Sequence, residues 1–195
     1  AYIVKEDTYV VVTRDGWMKR QSSFSELNKI RVREDDEVGW LFRASTRSTI
    51  TFFSSLGAAY VLRVDDIVST TGYGVPVQSN FSFADGERIV GVVSHDARHF
   101  PDRPDPTLFD SDTPPPPYGI AMTQSGRVLR FPMSSHEDIS TKSGRKYARL
   151  NKGDAVLVVY PSNGDEKISV ASVGGRAMLF PSSEVPFLRA AGKGV

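Results

Sequence analysis

The sequence has 195 residues, 39% hydrophobic and 24% charged, a composition typical of a globular domain and unlike that of a disordered or fibrous chain. It has no cysteine, which excludes a disulfide framework and a thiolate metal site, and it has neither an apolar run of membrane-spanning length nor a signal-peptide pattern. The net charge is only +1, but residues 1–118 carry 13 basic against 17 acidic side chains (net −4), and residues 119–195 carry 11 against 6 (net +5).

A turn of the form Ser/Thr-x-x-Gly occurs four times, and each copy lies between two short runs of β-branched or aromatic residues. In chain order the turns are Thr13–Gly16, Ser54–Gly57, Thr123–Gly126 and Ser172–Gly175. Glycine supplies the positive φ that a tight turn between two strands requires, so each copy predicts a β-hairpin.

Two further sequence features recur together with these turns. A glycine-containing loop follows the turn in three copies, at Gly72–Gly74, Gly144–Lys146 and Gly192–Gly194. An acidic turn and an apolar run also recur, at residues 36–41, 87–92 and 154–159. A unit of about 40 to 50 residues with four short strands is typical of a propeller blade. We therefore predict an all-β chain with four repeats, at residues 1–49, 50–94, 119–166 and 167–195, and at most one helical turn, at Phe24–Lys29.

Residues 95–118 separate the second and third repeats and contain seven prolines, four of them consecutive at Pro114–Pro117. Consecutive prolines cannot donate to a sheet and favour an extended polyproline II conformation. We predict that this insertion is an exposed loop, irregular over residues 100–117, which contributes little to folding.

Three patterns resemble catalytic or cofactor sites, and none predicts one. Two histidines and two aspartates in the insertion have a zinc-ligating composition: His95, Asp96, His99 and Asp102. A Pro/Asp-rich loop rarely provides the fixed surroundings that a metal site needs. The Gly72–Gly74 loop is not followed by a helical pattern, which a dinucleotide site requires. The acidic clusters at residues 35–37 and 65–66 could resemble paired catalytic carboxylates, but they occupy turns, where solvated carboxylates are expected. We expect no catalytic residue, metal or cofactor in this chain.

Four segments together resemble the C-terminal domain of the A subunit of DNA gyrase and topoisomerase IV: residues 9–20, 129–132, 178–186 and 190–195. The resemblance implies a β-pinwheel, a propeller-like disc of which this chain would form a part and whose neighbouring blades exchange a strand. It implies that a basic outer rim binds and bends double-stranded DNA and presents it to the catalytic core for ATP-dependent strand passage. The resemblance also implies two protein partners, the rest of the A subunit and the ATPase B subunit. It implies a location in the cytoplasm, at the nucleoid. ATP and Mg would bind elsewhere in the holoenzyme, and the nucleophilic tyrosine lies in another part of the enzyme.

Gyrases of this family carry a Gln/Arg/Gly-rich box that allows them to wrap DNA tightly. No such run occurs here, and the corresponding loop of the first repeat reads Asn28–Arg33. This departure favours a topoisomerase IV-like subunit, which would bend DNA without a stable wrap.

Basic residues that recur with the repeats are the candidate DNA contacts, because guanidinium and ammonium groups near glycine loops can approach phosphates closely. The candidates are Lys19, Arg20, Arg127, Arg130, Lys142, Arg145, Lys146, Arg149, Arg176, Arg189 and Lys193. The alternative function is a propeller-like protein–protein interaction module. A continuous basic edge would favour DNA, whereas an apolar patch on a flat face would favour a protein partner.

Overall fold

A computed structural model describes residues 2–99 and 112–195, and in this part of the chain all regular structure is β-strand or single-turn 3₁₀ helix. The strands are β1 (Asp7–Thr13), β2 (Trp17–Gln21), β3 (Val38–Ser45), β4 (Thr49–Ser54), β5 (Ala58–Arg63), β6 (Val75–Pro76), β7 (Ile89–Ser94), β8 (Tyr118–Thr123), β9 (Val128–Pro132), β10 (Arg145–Lys146), β11 (Val156–Ser162), β12 (Lys167–Ala171) and β13 (Ala177–Pro181). The 3₁₀ turns are Leu27–Lys29, Val64–Asp66, Val77–Ser79, Ala97–His99, Met133–His136 and Ser182–Glu184. The all-β prediction is confirmed. None of the described helices is long and apolar enough to cross a membrane.

The four predicted hairpins are all present, as β1–β2, β4–β5, β8–β9 and β12–β13. Their turn glycines have φ values of 84° at Gly16 and Gly57, 83° at Gly126 and 77° at Gly175. Each hairpin belongs to a separate antiparallel sheet, with strand orders β3-β1-β2-β6, β7-β4-β5-β10, β11-β8-β9 and β12-β13. The turn residues in the sequence therefore determine where the hairpins form, and each hairpin lies in a different sheet.

Strands β3, β7 and β11 form the inner side of the structure, where β7 contacts both of the others. A Cβ atom at Gly91 of β7 would overlap the carbonyl oxygen of Val159 in β11, so these two backbones approach closely. One cluster of buried side chains joins the first and second sheets, including Val12, Phe52 and Tyr60, and another joins the second and third. The sheets are consequently packed face to face around a common inner side.

The outer strand of each complete sheet comes from the following repeat. β6 pairs with β2, β10 pairs with β5, and Val195 exchanges two backbone hydrogen bonds with Val128 at the start of β9. Each of these sheets thus combines strands from two consecutive repeats. This exchange is the pinwheel arrangement that the resemblance implied.

The ends of the insertion differ from the predicted exposed loop. Residues 112–117 are irregular, and residues 100–111 lie outside the described part of the chain. Asp96, however, is 6% exposed and accepts hydrogen bonds from Ser45 N (2.8 Å) and Ser48 Oγ (3.2 Å). Arg98 bridges Asp96 (2.9 Å) and Asp7 (2.8 Å), and Tyr118 is buried in β8. The prediction that residues 95–118 are exposed is wrong at both ends, because the partners of Asp96 lie about 50 residues away in the β3–β4 turn.

Burial of Asp96 opposes its ionisation, but hydrogen bonds from Ser45 and Arg98 outweigh burial and lower its pKa to about 2. The insertion therefore begins with an ionised, buried carboxylate that ties it to the first sheet.

His136 is the most deeply buried histidine among the described residues, and its ring packs against Phe53, Phe131 and Tyr147. Burial, together with smaller electrostatic effects of Arg145 and His95, lowers its pKa to about 4. The folded protein thus holds a neutral imidazole between the second and third sheets.

We expect the free energy of unfolding to fall by about 2 kcal/mol between pH 7.5 and pH 5.0 because of His136. Its folded pKa lies below the unfolded value of about 6.5, so in this range the unfolded chain binds more protons and stability is lost as the pH falls. Urea unfolding at both pH values would measure the loss. The variant His136→Phe preserves an aromatic ring without a titrating group and should show a much smaller loss; an equal loss would contradict the assignment.

Candidate nucleic-acid interface

Three chain segments form the outer edge opposite β3, β7 and β11, and we call them the crossing segments. They are residues 67–76, which cover β2, residues 137–148, which cover β5, and residues 185–195, which cover β9. Each brings a positive-φ glycine onto the preceding sheet: a Cβ atom at Gly74, Gly144 or Gly194 would overlap a backbone carbonyl oxygen two residues after a hairpin glycine. The glycine loops seen in the sequence are therefore the points at which the backbone crosses from one sheet to the next.

Five of the predicted contact residues lie on or next to the crossing segments with exposed side chains: Lys142, Lys146, Arg149, Arg189 and Lys193. The backbone that carries Lys142 is fixed, because Ser82 N donates to its carbonyl oxygen at 2.8 Å. Lys146 is in β10, and Arg149 N donates to Gly192 O at 2.8 Å. These charges are presented to solvent from an ordered backbone, which is the arrangement expected for phosphate contacts.

Arg145 lies in the same segment but is half-buried and serves the segment itself. Its guanidinium donates to Asp138 O at 2.6 Å and to Ile139 O at 2.9 Å. Two further candidates have similar roles: Arg127 donates to Gly194 O at 3.0 Å, and Arg130 stacks 4.8 Å from the ring of Tyr118. These arginines hold the crossing segments in place, and part of each guanidinium group is engaged in these intramolecular contacts.

Lys19 is not available at the surface, contrary to the prediction that it contacts DNA. It is 1% exposed, and its Nζ donates to Arg31 O at 2.8 Å and Gly72 O at 2.7 Å. Burial and the nearby charge of Arg31 lower its pKa. The next residue, Arg20, is half-buried and donates to Ile67 O at 2.8 Å. Successive side chains of β2 point to opposite faces, so a basic pair in the sequence does not become a basic pair on one surface.

Arg176, the remaining candidate, is exposed in the turn between β12 and β13. Its backbone N donates to Ser172 Oγ at 3.2 Å, which closes the hairpin turn. It therefore lies at a hairpin end, away from the residues of the crossing segments.

Two arginines that were not among the predicted contacts belong to the same outer edge. The guanidinium of Arg31 lies 5.7 Å from the ring of Tyr73, and that of Arg33 lies 4.6 Å from the ring of Trp17. The first crossing segment contains no lysine or arginine, so the loop before β3 supplies the positive charge there. The alternation of basic and apolar residues over Lys29–Arg33 is the sequence signal that could have indicated them.

Some exposed apolar side chains lie on β11 and β13, namely Leu157, Met178 and Leu179, which are 51%, 63% and 65% exposed. The β12–β13 sheet has two strands among the described residues, whereas the other hairpins have a third strand beside them. These side chains occupy strand positions and not the crossing segments.

Two of the residues considered for zinc, His95 and Asp96, are held by protein contacts. His95 Nε2 lies 2.6 Å from Thr51 Oγ1, and its Nδ1 lies 3.6 Å from Glu137 Oε1. Asp96 is bound to Ser45 and Arg98, and Asp102 lies outside the described residues. Within residues 2–99 and 112–195 no group of three or more histidine and acidic side chains is placed to hold a metal ion.

The antiparallel sheets exchange their outer strands around a shared inner side, and this arrangement defines the fold class as a β-pinwheel. The family model described as "DNA gyrase C-terminal domain, beta-propeller" matches residues 48–96, 120–163 and 166–195, and the chain belongs to this family. It is 26% identical over 204 residues to the A subunit of DNA gyrase from Haloquadratum walsbyi, covering 99% of this chain and 22% of that one. It is 29% identical over 203 residues to the A subunit of DNA topoisomerase 4 from Streptococcus pneumoniae, covering 99% and 23%.

Solved structures show the same fold. The C-terminal domain of DNA topoisomerase IV superposes with a TM-score of 0.82 at 18% identity, covering 100% of this chain and 57% of that one. The E. coli ParC C-terminal domain gives 0.73 at 15% identity, with coverages of 97% and 70%. The chain thus spans about a fifth of the curated relatives' length and more than half of these domains.

Proposed function

We propose that this chain binds double-stranded DNA through its basic outer edge, as part of the A subunit of a bacterial type II topoisomerase. The observation that carries the proposal is the set of exposed Lys142, Lys146 and Arg149 on and beside one ordered crossing segment, in a chain of the gyrase C-terminal domain family. Its partners are duplex DNA, the rest of the A subunit and the ATPase B subunit. The complex is located in the cytoplasm, at the nucleoid. Strand passage, with its ATP and Mg, belongs to the rest of the enzyme.

The contacts are to the DNA backbone. The described residues include no helix longer than a single 3₁₀ turn, so no helix enters a groove to read base edges. Lysine and arginine side chains along the crossing segments neutralise phosphates, and we propose that a duplex that follows several such contacts bends. Smooth bending of a short duplex by 40–90° costs on the order of 1–6 kcal/mol, which the added phosphate contacts offset.

Binding is therefore expected to be independent of sequence and steep in salt. Fluorescence anisotropy with two unrelated duplexes should give equal Kd values, and log K should fall with log salt at a slope of about −3 to −5, because each phosphate contact contributes about −0.9. A strong preference for one duplex would contradict backbone binding. No binding to either duplex at low salt would favour the protein-interaction module instead.

We further propose that this domain bends DNA without wrapping it stably, as in a topoisomerase IV-like subunit. The support is the absence of a Gln/Arg/Gly-rich run in this sequence. Relaxation of closed circular DNA by a separate topoisomerase, with this chain bound, should leave the linking number nearly unchanged; a strong shift would overturn the topoisomerase IV-like assignment.

A further inference from the structure

The end of the acidic insertion rests on one of the basic residues of the outer edge. Arg189 Nε donates to the backbone carbonyl of Asp112 at 3.2 Å, and its Nη2 lies 3.5 Å from Asp112 Oδ1. Both side chains are largely exposed, and the two residues are 77 positions apart in the sequence. A residue proposed to contact DNA is thus already engaged by a carboxylate.

Buried contacts fix this end of the insertion in place. Tyr118 is 4% exposed, and its Oη donates to Pro114 O at 2.8 Å. The guanidinium of Arg130 lies over the rings of Tyr118, at 4.8 Å, and Phe187, at 5.7 Å. Phe187 belongs to the same crossing segment as Arg189. The insertion therefore reaches Arg189 from a position set by packing, and the ion pair does not have to bear the ordering cost alone.

The charge of the insertion suits this contact. Residues 95–118 carry five aspartates against two arginines, a net of −3 with histidine neutral. A carboxylate and a phosphate both accept hydrogen bonds from a guanidinium group, so the two compete for the same arginine. Because Asp112 and Arg189 are both solvent-exposed, DNA can displace the carboxylate without opening the fold.

We propose that the insertion is an intramolecular competitor of DNA at the crossing segment 185–195, where Asp112 occupies Arg189 until a phosphate replaces it. The inference rests on the proposed function. An exposed ion pair contributes little to stability, so releasing it should tighten DNA binding by only about two- to five-fold. The contact therefore adjusts the affinity of this part of the edge and does not abolish binding.

The test is a double-mutant cycle on the full chain, with Kd for a duplex measured by anisotropy at low salt. Asp112→Asn should lower Kd by about two- to five-fold, Arg189→Gln should raise it, and Asp112→Asn should have no effect when Arg189→Gln is present. Asp165→Asn is the matched control, since Asp165 is exposed, lies outside the crossing segments, and undergoes the same charge change. It should change Kd much less.

Several results would overturn the inference while leaving the proposed function intact. In the first, the unmodified chain binds DNA but Asp112→Asn does not lower Kd. In the second, Asp165→Asn lowers Kd as much as Asp112→Asn does. In the third, Arg189→Gln leaves Kd unchanged. Failure of the unmodified chain to bind duplex DNA at low salt would instead reject the proposed function itself. Unfolding curves of each variant would confirm that folding is preserved.

Discussion

Reversal of Lys142, Lys146 and Arg149 to glutamate is expected to lower the affinity for duplex DNA roughly a hundredfold at moderate salt, equally for all sequences. The three side chains are exposed on and beside one crossing segment, so each reversal removes a phosphate contact and adds repulsion. The salt slope of log K should become shallower by about 3, one unit for each lost contact. Arg145 is left unchanged because its guanidinium holds the backbone of the same segment through Asp138 and Ile139.

The matched control is the triple variant Lys5→Glu, Arg88→Glu and Lys167→Glu. These residues are also exposed, the change in net charge is identical, and none of them belongs to a crossing segment. It should weaken binding several-fold at most and leave the salt slope nearly unchanged. Equal losses in both variants would mean that total charge, and not the outer edge, determines binding. Neither variant should change the melting temperature by more than a few degrees, because exposed charges contribute little to folding.

The second large effect concerns the crossing glycines. Gly74→Ala is expected to destabilise the fold by at least about 2 kcal/mol more than Gly86→Ala. Both glycines have positive φ, 82° and 74°, so both variants bear the left-handed strain of about 1–2 kcal/mol. Only at Gly74 would the new Cβ also overlap backbone, at the carbonyl of Met18 in β2, whereas nothing lies within 4 Å of a Cβ at Gly86.

Urea unfolding of both variants would measure the difference. Both variants lose the conformational preference of glycine. The difference between their free energies of unfolding therefore measures the effect of the close contact between the first crossing segment and β2. Equal destabilisation would show that the segment can shift away from β2 without loss, and that strand exchange does not contribute to the stability of the first sheet.

The resemblance to the gyrase and topoisomerase IV domain could be drawn from the sequence because its signals are local. A Ser/Thr-x-x-Gly turn such as Thr13–Gly16 is encoded within four residues, and Gly16 adopts the positive φ that the turn requires. The hydroxyl of Thr13 also accepts from Trp17 N at 3.0 Å, which explains why a Ser or Thr recurs at that position. Repetition of this signal determined the number of hairpins and, through it, the all-β fold.

The accessibility of each charged side chain was not encoded in this way. Lys19 and Lys142 both follow the repeat pattern, yet Lys19 is buried because carbonyl oxygens of Arg31 and Gly72, 12 and 53 residues away, converge on its ammonium group. Asp96 likewise has the sequence surroundings of a solvated loop, and only the folded chain brings Ser45 and Arg98 around it. Turn type depends on neighbouring residues, so the sequence alone determined the hairpins and the repeat. Exposure depends on which distant backbone groups meet a side chain, so only the tertiary structure decided which basic residues face solvent.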